Sequence, residues 1–176
     1  MIAGAGLLTV AILVVGYVAL GWWLMLLFAF GFVGGFFLWL LFPAAVSFRA
    51  IRGPYFAALG LFVVHKWEER HFDFFPALAR LTGVPPPESG SALAVLLYAF
   101  AGAWLLVPLL VGRANPFGYY LARTLFTSMG VTELAHFVFP FFTAGPYSYF
   151  PGMGSVVGLA PVAWWGIWRL RGHFAP

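Results

Sequence analysis

Five residues in two stretches of this chain combine the types and spacing that chemistry needs. His65, Glu68 and Glu69 lie within VVHKWEERHFDFF, residues 63–75. Their i, i+3, i+4 spacing puts an imidazole and two carboxylates on one face of a helix. Asp73 extends that stripe if the helix persists, and His71 lies well round from it. Further on, Glu133 and His136 are spaced i, i+3 and share a face of their own. Together the two stretches offer two imidazoles and up to three carboxylates, a donor set suited to zinc or non-haem iron. The chain has no cysteine, so no thiolate competes as ligand, and disulfide, thiol and iron–sulfur chemistry are excluded. Di-iron bundles use Glu-x-x-His pairs plus glutamates from two further helices. Here one pair is reversed and no other span supplies a glutamate, so a mononuclear site is the expectation.

The elements that position these residues are membrane helices. Of 176 residues, 63% are hydrophobic and 8% charged, against about 25% charged in ordinary soluble domains. The expected class is an all-α, polytopic transmembrane bundle forming one domain over residues 1–176. Residues 1–42 carry no charge, and as one helix they would be about 63 Å long, twice the hydrocarbon thickness. They are therefore expected to fold into a hairpin (1–45) at Gly21-Trp22-Trp23, with the tryptophans in the interfacial belt. Gly31 and Gly35 have the spacing that permits close helix contact.

A four-helix region, 54–172, follows. Its first helix is expected to start near Pro54 and stop before Pro76, with a short interfacial turn of helix and a proline-rich loop over 76–90. Further spans are expected over 91–112, 117–142 and 155–170. Six spans place Arg49, Arg52, Arg113, Arg169 and Arg171 on one side, which the positive-inside rule makes cytoplasmic, together with both termini. The net charge of +4 comes from arginines and lysines beside spans, which implies contact with membrane lipid and not with nucleic acid. The expected location is integral to a bacterial inner (plasma) membrane. Arg123 reads as an anchor near the cytoplasmic end, and His173 has no role assigned.

Helix rise puts His65 and Glu69 about 17 and 23 Å along their span, and Glu133 and His136 about 24 and 29 Å along a parallel one. Both groups then fall in the outer half of the membrane, where they could meet. Acids at such depth usually have a partner or a water-filled cavity, and a metal would be such a partner. Other readings stay open. HKWEER also fits the solvated end of a helix with Trp67 in the belt, and Glu133 and His136 could bond only each other or an arginine.

His65-Lys66-Trp67-Glu68-Glu69 fits the pattern that names the HXXEE-motif family of integral membrane proteins. That family's later Asn-x-x-His helix and Tyr-x-Pro-Gly-like turn are matched in order by Glu133-Leu134-Ala135-His136 and Tyr149-Phe150-Pro151-Gly152-Met153. The resemblance covers about residues 55–170, with the N-terminal hairpin as an addition and Glu133 in place of the asparagine. It implies a functional centre at His65, Glu68, Glu69 and His136, and no particular reaction.

The leading expectation is a membrane metalloprotein, an enzyme acting on a lipid or other hydrophobic substrate. His65, Glu68, Glu69 and His136 bind a divalent metal, zinc or iron, in this reading. Glu133 serves as ligand or catalytic general base, and the aromatic loop 146–153 lies over the site as a lid. The alternatives are a non-enzymatic subunit or assembly factor with membrane-complex partners, and a proton-linked carrier.

Overall fold

A computed structural model describes residues 1–88 and 90–171; His173 and, within the 54–172 region, residues 89 and 172 lie outside them. The described residues form helices and no strand. They are α1 (Ile2–Leu41), α2 (Phe48–His71), α3 (Phe74–Thr82), α4 (Ala92–Gly102), α5 (Val107–Gly112), α6 (Pro116–Val131) and α7 (Met153–Arg169), with 3-10 turns at Ala103–Leu106, Thr132–Phe137 and Phe139–Phe142. Three stretches are long and apolar enough to cross a membrane: Ile2–Leu41, Ala92–Gly112 and Pro116–Phe142. Of the other long helices, α2 carries charges at both ends and α7 has only 17 residues.

The first stretch is two helices. Gly21 takes φ 79°, a left-handed value that favours glycine, and breaks α1 into arms 2–20 and 22–41. The arms fold back on each other, with Gly16 against the Phe28 ring and Gly6 near Phe36. Leu7, Val10, Val14 and Val18 stay exposed along the first arm, as suits a lipid-facing stripe and not a water-facing one.

The centre of the bundle is α6, in which every residue from 118 to 130 is buried. Helices in lipid gain little from hydrophobic burial against each other, so close packing and polar contacts hold them. Both devices are visible here. A Cβ on Gly35 would lie 2.7 Å from the Thr124 Cα, and one on Gly31 would lie 3.0 Å from the Ser128 Cα. The second arm therefore rests directly on the α6 backbone. The Thr9 and Tyr120 hydroxyls pair at 2.9 Å, and Thr132 Oγ1 donates to the Leu27 carbonyl at 3.0 Å.

One end of the bundle collects the arginines and the loose ends of helices. Arg123 is fully buried, not an outward anchor as its sequence position suggests. It donates to the carbonyls of Phe42 (2.8 Å) and Leu170 (3.0 Å), which lie at the C-termini of α1 and α7. A cation there meets the negative ends of two helix dipoles and satisfies their orphan carbonyls. Tyr119 joins the same end by donating to the Val46 carbonyl at 2.9 Å.

Helix α2 begins at Phe48, six residues before the expected start, with Pro54 inside it. A proline there removes the donor for the carbonyl four residues earlier, that of Ala50. The Arg169 Nε supplies the missing donor to the Ala50 oxygen at 2.9 Å, which explains why the helix tolerates the proline. At its far end α2 stops at His71. Asp73 adopts a left-handed conformation (φ 56°) and turns the chain into α3, so it does not extend the stripe of α2, and Pro76 sits within α3. Through Phe74 and Leu78, α3 packs on Leu20, Leu24 and Phe150, against the hairpin bend.

Replacing Gly35 by leucine should cost about 1–3 kcal/mol through overpacking against Thr124. Gly60, whose Cβ would meet nothing within 4 Å, should accept leucine with little change. Thermal unfolding of both variants in detergent checks the contrast.

Candidate metal centre

The two chemical stretches meet at the end of the bundle away from Arg123. On α2, His65, Glu68 and Glu69 are buried while Val63, Val64 and Trp67 are exposed. The i, i+3, i+4 set therefore faces inward as a unit. Glu133 and His136 lie in the 3-10 turn Thr132–Phe137, not in an α-helix. The helical path is lost at Val131 (φ −127°), and Pro140 downstream has no donor for the His136 carbonyl. With three residues per turn, i and i+3 stand almost directly above each other, so Glu133 and His136 are stacked on one side.

Four side chains converge. His65 Nε2 lies 3.1 Å from Glu69 Oε1 and 3.2 Å from Glu133 Oε2. His136 Nε2 lies 3.4 Å from each of the same two oxygens. One donor atom from each residue falls within 4.8 Å of all the others, close enough to hold one ion. Bonds of about 2.0–2.1 Å, as zinc makes to nitrogen and oxygen, give a tetrahedron with edges of about 3.3–3.4 Å. Four of the six separations, at 3.1–3.4 Å, are close to such edges, and all six lie within 4.8 Å. Those four are long for charge-assisted hydrogen bonds, which run about 2.7–2.9 Å, and the buried His65 Nε2 makes no hydrogen bond at all.

The outer partners fix the ring tautomers. Pro151 contributes a carbonyl, which only accepts, so His136 Nδ1 carries the proton that it donates there. Ser155 Oγ donates to the Gly152 carbonyl at 3.2 Å, so it accepts from His65 Nδ1 at 2.8 Å. In its neutral form each imidazole therefore turns a bare Nε2 toward the centre, and in its protonated form an N–H aimed at the Glu69 and Glu133 oxygens. Histidine ligands are ordinarily oriented this way by the bond their other nitrogen makes. With the rings neutral, two bare nitrogens and two carboxylate oxygens face one another, and either a metal ion or ring protons would join them.

Glu68 stands apart from the other predicted ligands. One of its oxygens accepts from the Tyr149 hydroxyl and from Gly154 N (2.9 Å), the other from Ser155 N (2.7 Å). Both oxygens are thus committed to the first turn of α7, where free amides and the helix dipole favour an anion. The physical reason is the i, i+3 offset, which aims Glu68 at α7 while Glu69 at i+4 aims at the two histidines. Burial and then the Glu68 carboxylate push the Tyr149 phenol up to about 12, so it stays protonated and donates.

Several participants had no clear signal in the sequence. Lys66, which reads as solvated, bonds Glu69 Oε2 at 2.7 Å and lies 5.1 Å over the Phe62 ring. It leaves only Oε1 of Glu69 for the centre. Gly152 has φ 98°, and a Cβ there would collide with the His136 ring and lie 2.9 Å from His65. Only glycine lets the chain pass over both imidazoles. The run Gly152-Met153-Gly154-Ser155 at a helix start was the available sign that backbone closes on something there. By contrast His71 turns away and stacks on Trp67, with ring planes 11° apart. Phe74 and Phe139 close the apolar side of His136, with ring centroids at 5.0 and 5.8 Å.

Comparison with protein-family models, curated proteins and solved structures finds no match to this chain. Glu68→Gln should lower stability by about 1–3 kcal/mol, because it sets an NH2 against a donor of α7 or Tyr149. Tyr149→Phe should lower it less. Detergent melting curves of the two variants test that order.

Proposed function

We propose that this chain is an integral membrane metalloprotein with one divalent metal, zinc or iron, held by His65, Glu69, Glu133 and His136. The observation that carries the reading is the convergence of two imidazole Nε2 atoms and two carboxylate oxygens within 4.8 Å, with each ring's Nδ1 bonded from outside. Lys66 offsets one of the two carboxylate charges. The second needs positive charge, from a metal ion or from a protonated imidazole, since an unpaired charge inside a membrane protein is expensive. Glu68 is assigned to orienting α7 and Tyr149 and not to the metal.

In the enzymatic form of this reading the substrate is a lipid or another hydrophobic molecule. A bound metal supplies Lewis-acid activation of water or of a substrate oxygen. Catalytic sites usually keep three protein ligands and one exchangeable position. Glu133 suits the exchangeable role, because its side chain is 14% exposed while those of the other three are at most 4% exposed. Released from the metal, its carboxylate is placed to take a proton as general base. His65 and His136 stay fixed by Ser155 and Pro151, and the turn 149–152 excludes water from their side. The order of the matching motifs supports membership of the HXXEE-motif family.

Six crossings, with both termini cytoplasmic, fit the arrangement. The two arms of α1, then α2, α4 with α5, α6 with its 3-10 continuation, and α7 alternate in direction. Arg49 and Arg52 at the start of α2, Arg113 after α5 and Arg171 after α7 share the end marked by Arg123 and Tyr119, the side that the positive-inside rule makes cytoplasmic.

Protein purified in detergent should contain about one metal per chain, and His65→Ala and His136→Ala should each lose it while Glu68→Gln keeps it. A folded, metal-free wild type sinks the proposal. Because the chain lacks cysteine, single cysteines report topology directly. An impermeant maleimide added to intact cells with a permeable outer envelope should label Ser148→Cys and spare Ser47→Cys, and the opposite pattern reverses the assignment.

A further inference from the structure

A cleft of about 740 Å³ opens between α3 and the segment 140–151, and it is within the size range of small-molecule sites. It lies at the end of the bundle that holds the histidines. Its walls include Phe72, Leu81 and Phe142, and its one charged lining residue is Arg80. No carboxylate lines it among the described residues, and Arg80 is exposed with no acidic partner there. Two further lining residues belong to the candidate centre: Pro151, whose carbonyl holds His136, and Tyr149, whose hydroxyl holds Glu68.

We infer that this cleft seats an anionic phospholipid, with the phosphate on Arg80 and the start of the acyl chain along the aromatic wall. This rests on the metalloprotein reading for its consequence, which is to name the substrate class of that site. Three observations converge on it. The guanidinium is a planar fork suited to phosphate oxygens. The remaining wall is mixed, with Phe72, Leu81, Phe142 and Phe150 on the apolar part and Thr143 and Ser148 as polar groups, which suits a molecule with both a headgroup and a chain. The short helix α3 that carries Arg80 packs on the hairpin bend at Gly21, where the membrane gives way to the interface in a six-crossing arrangement. Headgroup and chain would thus enter from the lipid along the turn that orients His136.

The test uses the full chain in neutral detergent with fluorescent, acyl-labelled phosphatidic acid. Wild type should bind it, and Arg80→Gln should weaken binding about tenfold, as for loss of one charged hydrogen-bonding partner. Ala77→Trp, which fills the cleft, should weaken it as well, and Arg70→Gln, outside the cleft, should not. Diacylglycerol with the same chains should bind weakly, and millimolar inorganic phosphate should not displace the lipid. Equal binding by Arg80→Gln overturns the inference. So does efficient displacement by inorganic phosphate, which would mark a free-anion site, or tight binding of diacylglycerol, which would mark an uncharged groove. Metal content of the same samples separates the two readings. Metal-loaded protein that binds no phosphatidic acid defeats the lipid inference alone, and metal-free protein that binds it through Arg80 defeats the metal centre alone.

Discussion

Two carboxylate oxygens and two imidazole nitrogens held toward one point inside an apolar bundle create a demand for positive charge, from a metal ion or from ring protons. His65 Nε2, His136 Nε2 and one oxygen each of Glu69 and Glu133 stand at 3.1–3.4 Å across that point. Water cannot meet that demand, because at least 97% of each imidazole is screened from it. The surrounding contacts keep the arrangement from collapsing. Ser155 and the Pro151 carbonyl take the two Nδ1 protons, so neither ring can flip without losing a bond. Lys66 takes the second oxygen of Glu69, and Glu68 anchors the first turn of α7, where Ser155 sits. A change at any of these positions reaches the centre through the orientation of a donor atom.

The opposite end is organised by the other sign of charge. There the carbonyl ends of α1 and α7 would be exposed to an apolar interior, and Arg123 answers both at once. Arg169 does the same for the carbonyl that Pro54 leaves without a donor. The bundle is thus polarised along its length, with helix carbonyl ends bound by arginine at one end and helix amides bound by a glutamate at the other.

The sequence was legible wherever a length or a spacing set a physical limit. Forty-two uncharged residues exceed one membrane crossing, and the break falls at Gly21, where glycine can take the needed φ. The i, i+3, i+4 spacing of His65, Glu68 and Glu69 correctly put them on one buried face. It could not say which carboxylate turns to the histidines and which to α7, because that depends on where α7 begins. The 3-10 geometry around Glu133 was also hidden, although Pro140 hinted that the helix could not continue unchanged. Arg123 was misjudged because sequence position gives depth and not direction. Its true role depends on two helix ends remote in sequence. Ser155 and Lys66 had no reading as participants, since a hydroxyl at a helix start and a lysine beside acids are both ordinary.

Pro54 has a mechanical consequence. Because its missing donor is replaced by Arg169, α2 and α7 are fastened to each other at one end. The Glu68 grip on Gly154 and Ser155 fastens them at the other. Two antiparallel helices riveted at both ends behave as a fixed post, which carries His65, Glu69 and the Ser155 support. Glu133 and His136 ride instead on a short 3-10 turn beyond Val131, whose own hydrogen bonds are poorer than an α-helix's and which is tied by Thr132 to the Leu27 carbonyl and by His136 to the Pro151 carbonyl. If the centre opens, this side is the jaw.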